Sequence, residues 1–98
     1  MGSIRNKVIK KLTATGAVST NNTSGYLYEV IASATTAAAA VEIKDGATGK
    51  IKFWIAANGL VHLDFNEKPL LFATDIDCTI TSTGTESVTF VYAEVAPV

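Results

Sequence analysis

The stretch Lys50-Ile51-Lys52-Phe53-Trp54-Ile55-Ala56-Ala57-Asn58-Gly59-Leu60-Val61-His62-Leu63-Asp64-Phe65 decides how the chain is read. On either side of Asn58-Gly59 the apolar residues recur at every second position. Ile51, Phe53 and Ile55 share one face of an extended chain, and Lys50, Lys52 and Trp54 share the other. After Gly59, Val61, Leu63 and Phe65 alternate with Leu60, His62 and Asp64. Successive side chains leave a strand on opposite sides, so a period of two marks a half-buried strand rather than a helix. Asn-Gly between two such runs is the strongest short signal for a two-residue hairpin, and the two strands are expected to pair directly.

The same alternation extends outward. Ile76, Cys78 and Ile80 oppose Asp75, Asp77, Thr79 and Thr81, and Val88, Phe90 and Tyr92 oppose Thr89, Val91 and Ala93, with a turn at 82–87 between them. Further strands are expected at 8–13, 25–34 and 41–44, and a short strand or corner at 69–72. Turn residues separate them at short intervals, at Gly16, 21–25, 45–49 and 66–69. Residues 32–40, rich in alanine but seeded with Thr and Ser, are read as a strand end and a connection, with a single helical turn as the alternative. Seven or eight short strands imply an all-β chain folded as an antiparallel two-sheet sandwich, because one sheet alone leaves an apolar face wet. Residues 1–11 are read as a basic N-terminal arm and 12–98 as a single β-sandwich domain.

Composition agrees with strands. Thr 13, Val 9 and Ile 8 make 30 β-branched residues among 98, against 6 Leu. That length allows one core and excludes a two-domain enzyme. With one His, one Cys and one Arg, residues that carry chemistry are scarce. Cys78 has no partner for an internal disulfide or for a cysteine-based zinc site. No apolar run of signal-peptide length follows the basic start, and none approaches the roughly 20 residues of a membrane helix. The chain is therefore expected to be made and kept in a cytoplasm, or assembled there into something larger. The two N-x-S/T matches at 21–24 read as a polar turn.

Candidate sites are few. His62 and Asp64 point to one face, as a carboxylate-oriented imidazole would, but no nucleophile motif accompanies them. Asp75 and Asp77 share a face without the further oxygens that calcium needs, and read as structural carboxylates. Cys78 reads as a small core residue. Trp54, opposite the apolar face, is either a contact anchor or covered by a neighbouring loop such as 70–72. Tyr26 and Tyr28, with Leu27 and Ile31 on the reverse face, are either sandwich core or a stacking platform for a glycan. Arg5, Lys7, Lys10 and Lys11 supply four of the eight positive charges, and the remainder of the chain carries 4 Lys against 9 acids. A net charge of -1 thus conceals a basic start on an acidic body, which suits self-association or docking on an acidic shell. Nucleic acid is disfavoured, since four charges without interleaved aromatics are little to bind it with.

The layout of Lys11-Leu12-Thr13-Ala14-Thr15-Gly16, Ile43-Lys44-Asp45-Gly46-Ala47-Thr48-Gly49, Lys68-Pro69-Leu70-Leu71-Phe72, Ile76-Asp77-Cys78-Thr79-Ile80 and Ser87-Val88-Thr89-Phe90-Val91-Tyr92-Ala93-Glu94 resembles small virion proteins of tailed phages, over most of residues 7–95. The resemblance implies a β-sandwich of jelly-roll-like form, displayed on or built into a capsid as a symmetric oligomer, as decoration or cement proteins are. Such proteins carry no catalytic residues and share no site motif that can be transferred by position.

The function expected is that of a non-enzymatic capsid decoration protein, found in the virion. Its partners would be the major capsid protein or other virion proteins and further copies of itself, with no membrane, cofactor or metal. Arg5, Lys7, Lys10, Lys11, Lys52 and Trp54 are the expected contact residues. The alternatives are a carbohydrate- or receptor-binding module of a head fibre or tail, using Tyr26, Tyr28 and Trp54, and a neck or tail component.

Overall fold

The computed structural model describes residues 3–82 and 84–96; Thr83, inside the turn expected at 82–87, and the chain ends at 1–2 and 97–98 lie outside the described residues. Nine strands form two antiparallel sheets, with no helix among the described residues. They are β1 (Val8–Leu12), β2 (Gly16–Ala17), β3 (Gly25–Ala34), β4 (Ala39–Asp45), β5 (Thr48–Ile55), β6 (Leu60–Asp64), β7 (Leu70–Phe72), β8 (Ile76–Ser82) and β9 (Glu86–Glu94). The first sheet runs β1-β9-β3-β6, with β7 pairing on β3 alongside β6, and the second runs β2-β8-β4-β5. With β7 set aside, every connection except β4 to β5 crosses between the sheets. That order is a jelly roll.

The alternation sorts side chains as the sequence suggests. Phe72, Phe90, Leu27, Ile43, Ile55, Ile76, Val30, Val41 and Val88 are fully buried between the sheets. The alanine-rich segment ends β3 at Ala34 and begins β4 at Ala39, with Ala32, Ala34 and Ala39 all buried. Only residues 35–38 link the two sheets there. The neighbouring β8 to β9 connection is tied on, as the Thr35 hydroxyl and amide both donate to the Thr85 carbonyl, at 2.9 and 3.0 Å.

The Asn58-Gly59 hairpin does not form. β5 pairs with β4 and β6 pairs with β3, so the two strands stand in different sheets and Asn58-Gly59 spans between them. A type I′ hairpin needs positive φ at both central residues, whereas only Asn58 has it, at 58°. The Asn58 amide instead donates to Thr35. Both runs bury their inward faces as well across a sandwich as side by side, and local alternation cannot tell the two apart. Among the described residues, the one hairpin between consecutive strands is β4 to β5, closed by Gly46 with φ 62° in a two-residue loop.

A second departure lies in β3. Leu27 and Val30 both face the core although they are three positions apart, because the register with β9 slips between Leu27 and Glu29. This bulge at Tyr28 reverses the phase of the strand. Leu27 and Ile31, expected on one face, therefore lie on opposite faces, and Ile31 is 39% exposed.

Reciprocal carboxylates pin the Gly46 turn to the loop before β8. Asp45 accepts the amides of Ala73 and Thr74, at 2.9 and 2.8 Å. Asp75, buried at the start of β8, accepts those of Asn22 and Gly46, at 3.0 and 3.1 Å. Asp75→Ala takes the acceptor from the Asn22 amide and leaves the Gly46 amide only the residue-75 carbonyl at 3.4 Å, and is expected to cost about 1–3 kcal/mol, with Asp75→Asn costing less because it keeps one acceptor oxygen. Urea unfolding of the two variants checks the order.

Candidate functional site

The six expected contact residues divide between the two sides of the sandwich. β1 lies at the edge of the first sheet, paired to β9 from Val8 opposite Tyr92 to Leu12 opposite Val88. Val8 to Lys11 are exposed, and within this strand only Leu12 packs on the core. The last four residues of the stretch read as an arm thus belong to an edge strand held chiefly by its backbone ladder. Ile9 and Lys11 fall in register with Val91 and Thr89, which places them on the outer face of the first sheet. Ile9 is 71% exposed. The Lys7 ammonium sits 4.3 Å from the centre of the Tyr28 ring. Arg5, just before the strand, donates its amide to the Glu94 carbonyl. The Glu94 carboxylate accepts the Thr20 amide at 2.6 Å, and that bond, with Arg5 and Lys10 nearby, holds it below its ordinary value despite partial desolvation.

Lys52 and Trp54 point away from the core on β5, on the outer face of the second sheet. Trp54 is 72% exposed, so no loop covers it among the described residues. Strand pairing sets it beside Ala40 on β4, which in turn lies beside Thr81 on β8; the next row holds Lys52, Glu42 and Thr79. A groove of about 330 Å³ runs along these residues. Lys52 stands 3.7 Å from the Glu42 carboxylate. Lys50 leaves this face and donates to the Leu71 carbonyl at 2.6 Å. Sequence reading identified Trp54 and Lys52 but missed Ala40, Glu42, Thr79 and Thr81. Those residues become neighbours only through the pairing of β4 with β5 and β8, which alternation does not specify.

The other candidates are not brought together. His62 and Asp64 both point outward on β6, but His62 contacts Glu29 at 2.8 Å while Asp64 accepts from Asn66 at 2.9 and 2.7 Å. The backbone amide of Asn66, and then its side chain, keep the Asp64 carboxyl below its ordinary value. Asp75 serves the backbone amides described above. Asp77 is raised by desolvation and then by its neighbour Asp75, as two carboxyls sharing a site require. No group of three metal-ligating side chains occurs among the described residues. Tyr26 and Tyr28 are half-buried on the outer face of the first sheet rather than in the core.

A scan against protein-family models and a search of curated proteins each return no match. Solved structures do give similar chains. The coat protein of Tobacco streak virus in a C2 crystal form has 12% identity and a TM-score of 0.44, covering 95% of this chain and 89% of that one. The Tobacco streak virus coat protein dimer has 12% identity and a TM-score of 0.43, covering 95% and 88%. The structural neighbours are viral coat proteins. At this identity and score the likeness assigns no function.

Cys78 is 1% exposed, and burial together with the nearby Asp77 charge pushes its thiol up to about 12. A thiol so placed is neither ionised nor reachable near neutral pH. A disulfide reagent at pH 8 is expected to leave the native protein unlabelled and to modify one thiol per chain in denaturant; rapid native labelling would contradict this burial.

Proposed function

We propose that the chain is a non-enzymatic virion structural protein of the capsid-decoration type, docking on the outer lattice of a tailed-phage capsid as a homo-oligomer. One observation carries this reading: the edge strand β1 presents Ile9, Lys10 and Lys11 to solvent while contributing only Leu12 to the core. Ile9, 71% exposed on that edge, is a liability for a solitary sandwich and an asset for one that a neighbour covers, while the lysines oppose indiscriminate edge-to-edge pairing and favour a neighbour with an acidic surface. The remaining chain carries 4 Lys against 9 acids, so the basic edge of one copy is complementary to the acidic body of the next. The jelly roll adds a prior at the level of the fold, since capsid proteins use it, as do lectin domains. The resemblance of residues 7–95 to small phage virion proteins points the same way. Many modest contacts made together on a repeating lattice give avidity without a tight single interface.

On this reading the first sheet's edge, with Arg5, Lys7, Lys10 and Lys11, meets the major capsid protein or a second copy. Lys52 and Trp54, on the opposite outer face, stay clear of that contact. Assembly takes place in the host cytoplasm and the protein ends in the virion. The test is immunodetection of the chain across a density gradient of particles from the source culture. The chain is expected to sediment with particles, and the triple variant Lys7→Glu, Lys10→Glu, Lys11→Glu to remain in the soluble fraction while staying folded. Wild-type chain that never enters the particle band would sink the reading.

A further inference from the structure

We propose that the outer face of the second sheet carries a carbohydrate-binding site, a shallow groove in which the face of a neutral sugar ring stacks on Trp54. The inference goes beyond the capsid reading and does not depend on it. Trp54, Ala40 and Thr81 form one row across β5, β4 and β8, and Lys52, Glu42 and Thr79 form the next. Trp54 is 72% exposed, and its neighbour Ala40 is too small to cover an indole. The groove of about 330 Å³ begins at that ring.

Two residues along a strand span about 7 Å, so the polar row lies roughly one sugar ring's width from the indole. The groups there suit a polyol. The Glu42 carboxylate accepts from hydroxyls, the Lys52 ammonium donates to them, and Thr79 and Thr81 do both. The Glu42 side chain is 28% exposed and so is held at the groove, while the Lys52 side chain, 3.7 Å away and 80% exposed, is free to turn toward a hydroxyl. A pyranose offers a matching pair of surfaces, an apolar face of C–H groups for the indole and a rim of hydroxyls for the polar row.

Charge narrows the ligand class. Outward-facing Lys44 and Asp77 lie side by side in the row beyond Glu42. Lys44, Lys52, Glu42 and Asp77 therefore cancel on this face, which gives an anionic ligand such as nucleic acid no net attraction. The side chains of a purely apolar peptide would leave Glu42, Lys52, Thr79 and Thr81 unmatched. One stacked ring with a few hydroxyl contacts binds weakly, and copies arrayed on a surface would strengthen it through multivalency. The groove lies on the side of the sandwich opposite the outer face bearing Ile9 and Lys11, so docking by β1 leaves it open.

The test is a titration of the isotope-labelled full chain with glucose, galactose and N-acetylglucosamine, followed by amide and indole NMR shifts, and then a glycan array for longer sugars. Saturable shifts are expected at the Trp54 indole and at Ala40, Thr79 and Thr81, with β1 unmoved. Trp54→Ala is expected to weaken binding roughly tenfold or more and Trp54→Phe less, both with the dispersed spectrum of the folded chain. Glu42→Gln keeps the shape but weakens hydroxyl recognition. Absence of saturable shifts together with a silent array would overturn the proposal. So would binding unaffected by Trp54→Ala, or particle attachment lost in Trp54→Ala when no sugar moves the wild-type indole, which would make Trp54 a protein contact.

Discussion

The pairing of β3 with β9 is the constraint on which the rest of the molecule depends. It joins residues 25–34 to 86–94 along nearly their whole length, and β1, β6 and β7 are added to its flanks. Leu27, Val30 and Ala32 from one strand and Val88 and Phe90 from the other furnish the first sheet's inner face. The bulge at Tyr28 lets both halves of β3 bury their apolar residues despite a break in the alternation. Without that extra residue, either Leu27 or the set Val30, Ala32 and Ala34 would turn outward. The outer face follows from the same slip, since it puts Ile31 in solvent beside His62 and Thr89.

Much of this was legible in the sequence, and the limits have a physical origin. Period-two alternation told which side of each strand is wet, and it placed Trp54 and Lys52 outward and Cys78 inward. The face of a residue is a local property, set by its own strand. The partner of a strand is not local, and that is where Asn58-Gly59 misled: both flanking strands are amphipathic, and the dipeptide can close a hairpin or step between sheets. Contacts with Thr35 and the competing pairings with β3 and β4 decide it. The groove residues around Trp54 were hidden for the same reason, being gathered from three strands. The Tyr28 bulge was hidden because reading residues 25–34 as one uninterrupted strand assigned Ile31 to the face of Leu27.

The two outer faces then differ in kind. The first sheet ends in a cationic, partly apolar edge that gains little from its own core, which suits a contact with a neighbour. The second carries a charge-balanced groove beside an uncovered indole, which suits a small polar ligand. Scarcity of reactive side chains is consistent with this division. His62 is engaged with Glu29 and Cys78 is sealed between the sheets.

The central claim, that the β1 edge faces an assembly and the Trp54 face looks away from it, is tested most directly by an electron cryomicroscopy map of intact particles at a resolution that separates the two sheets. The account predicts a jelly roll seated with β1 against the shell or a neighbouring copy and Trp54 directed to solvent. A map with the Trp54 face buried against the shell and β1 exposed would contradict it.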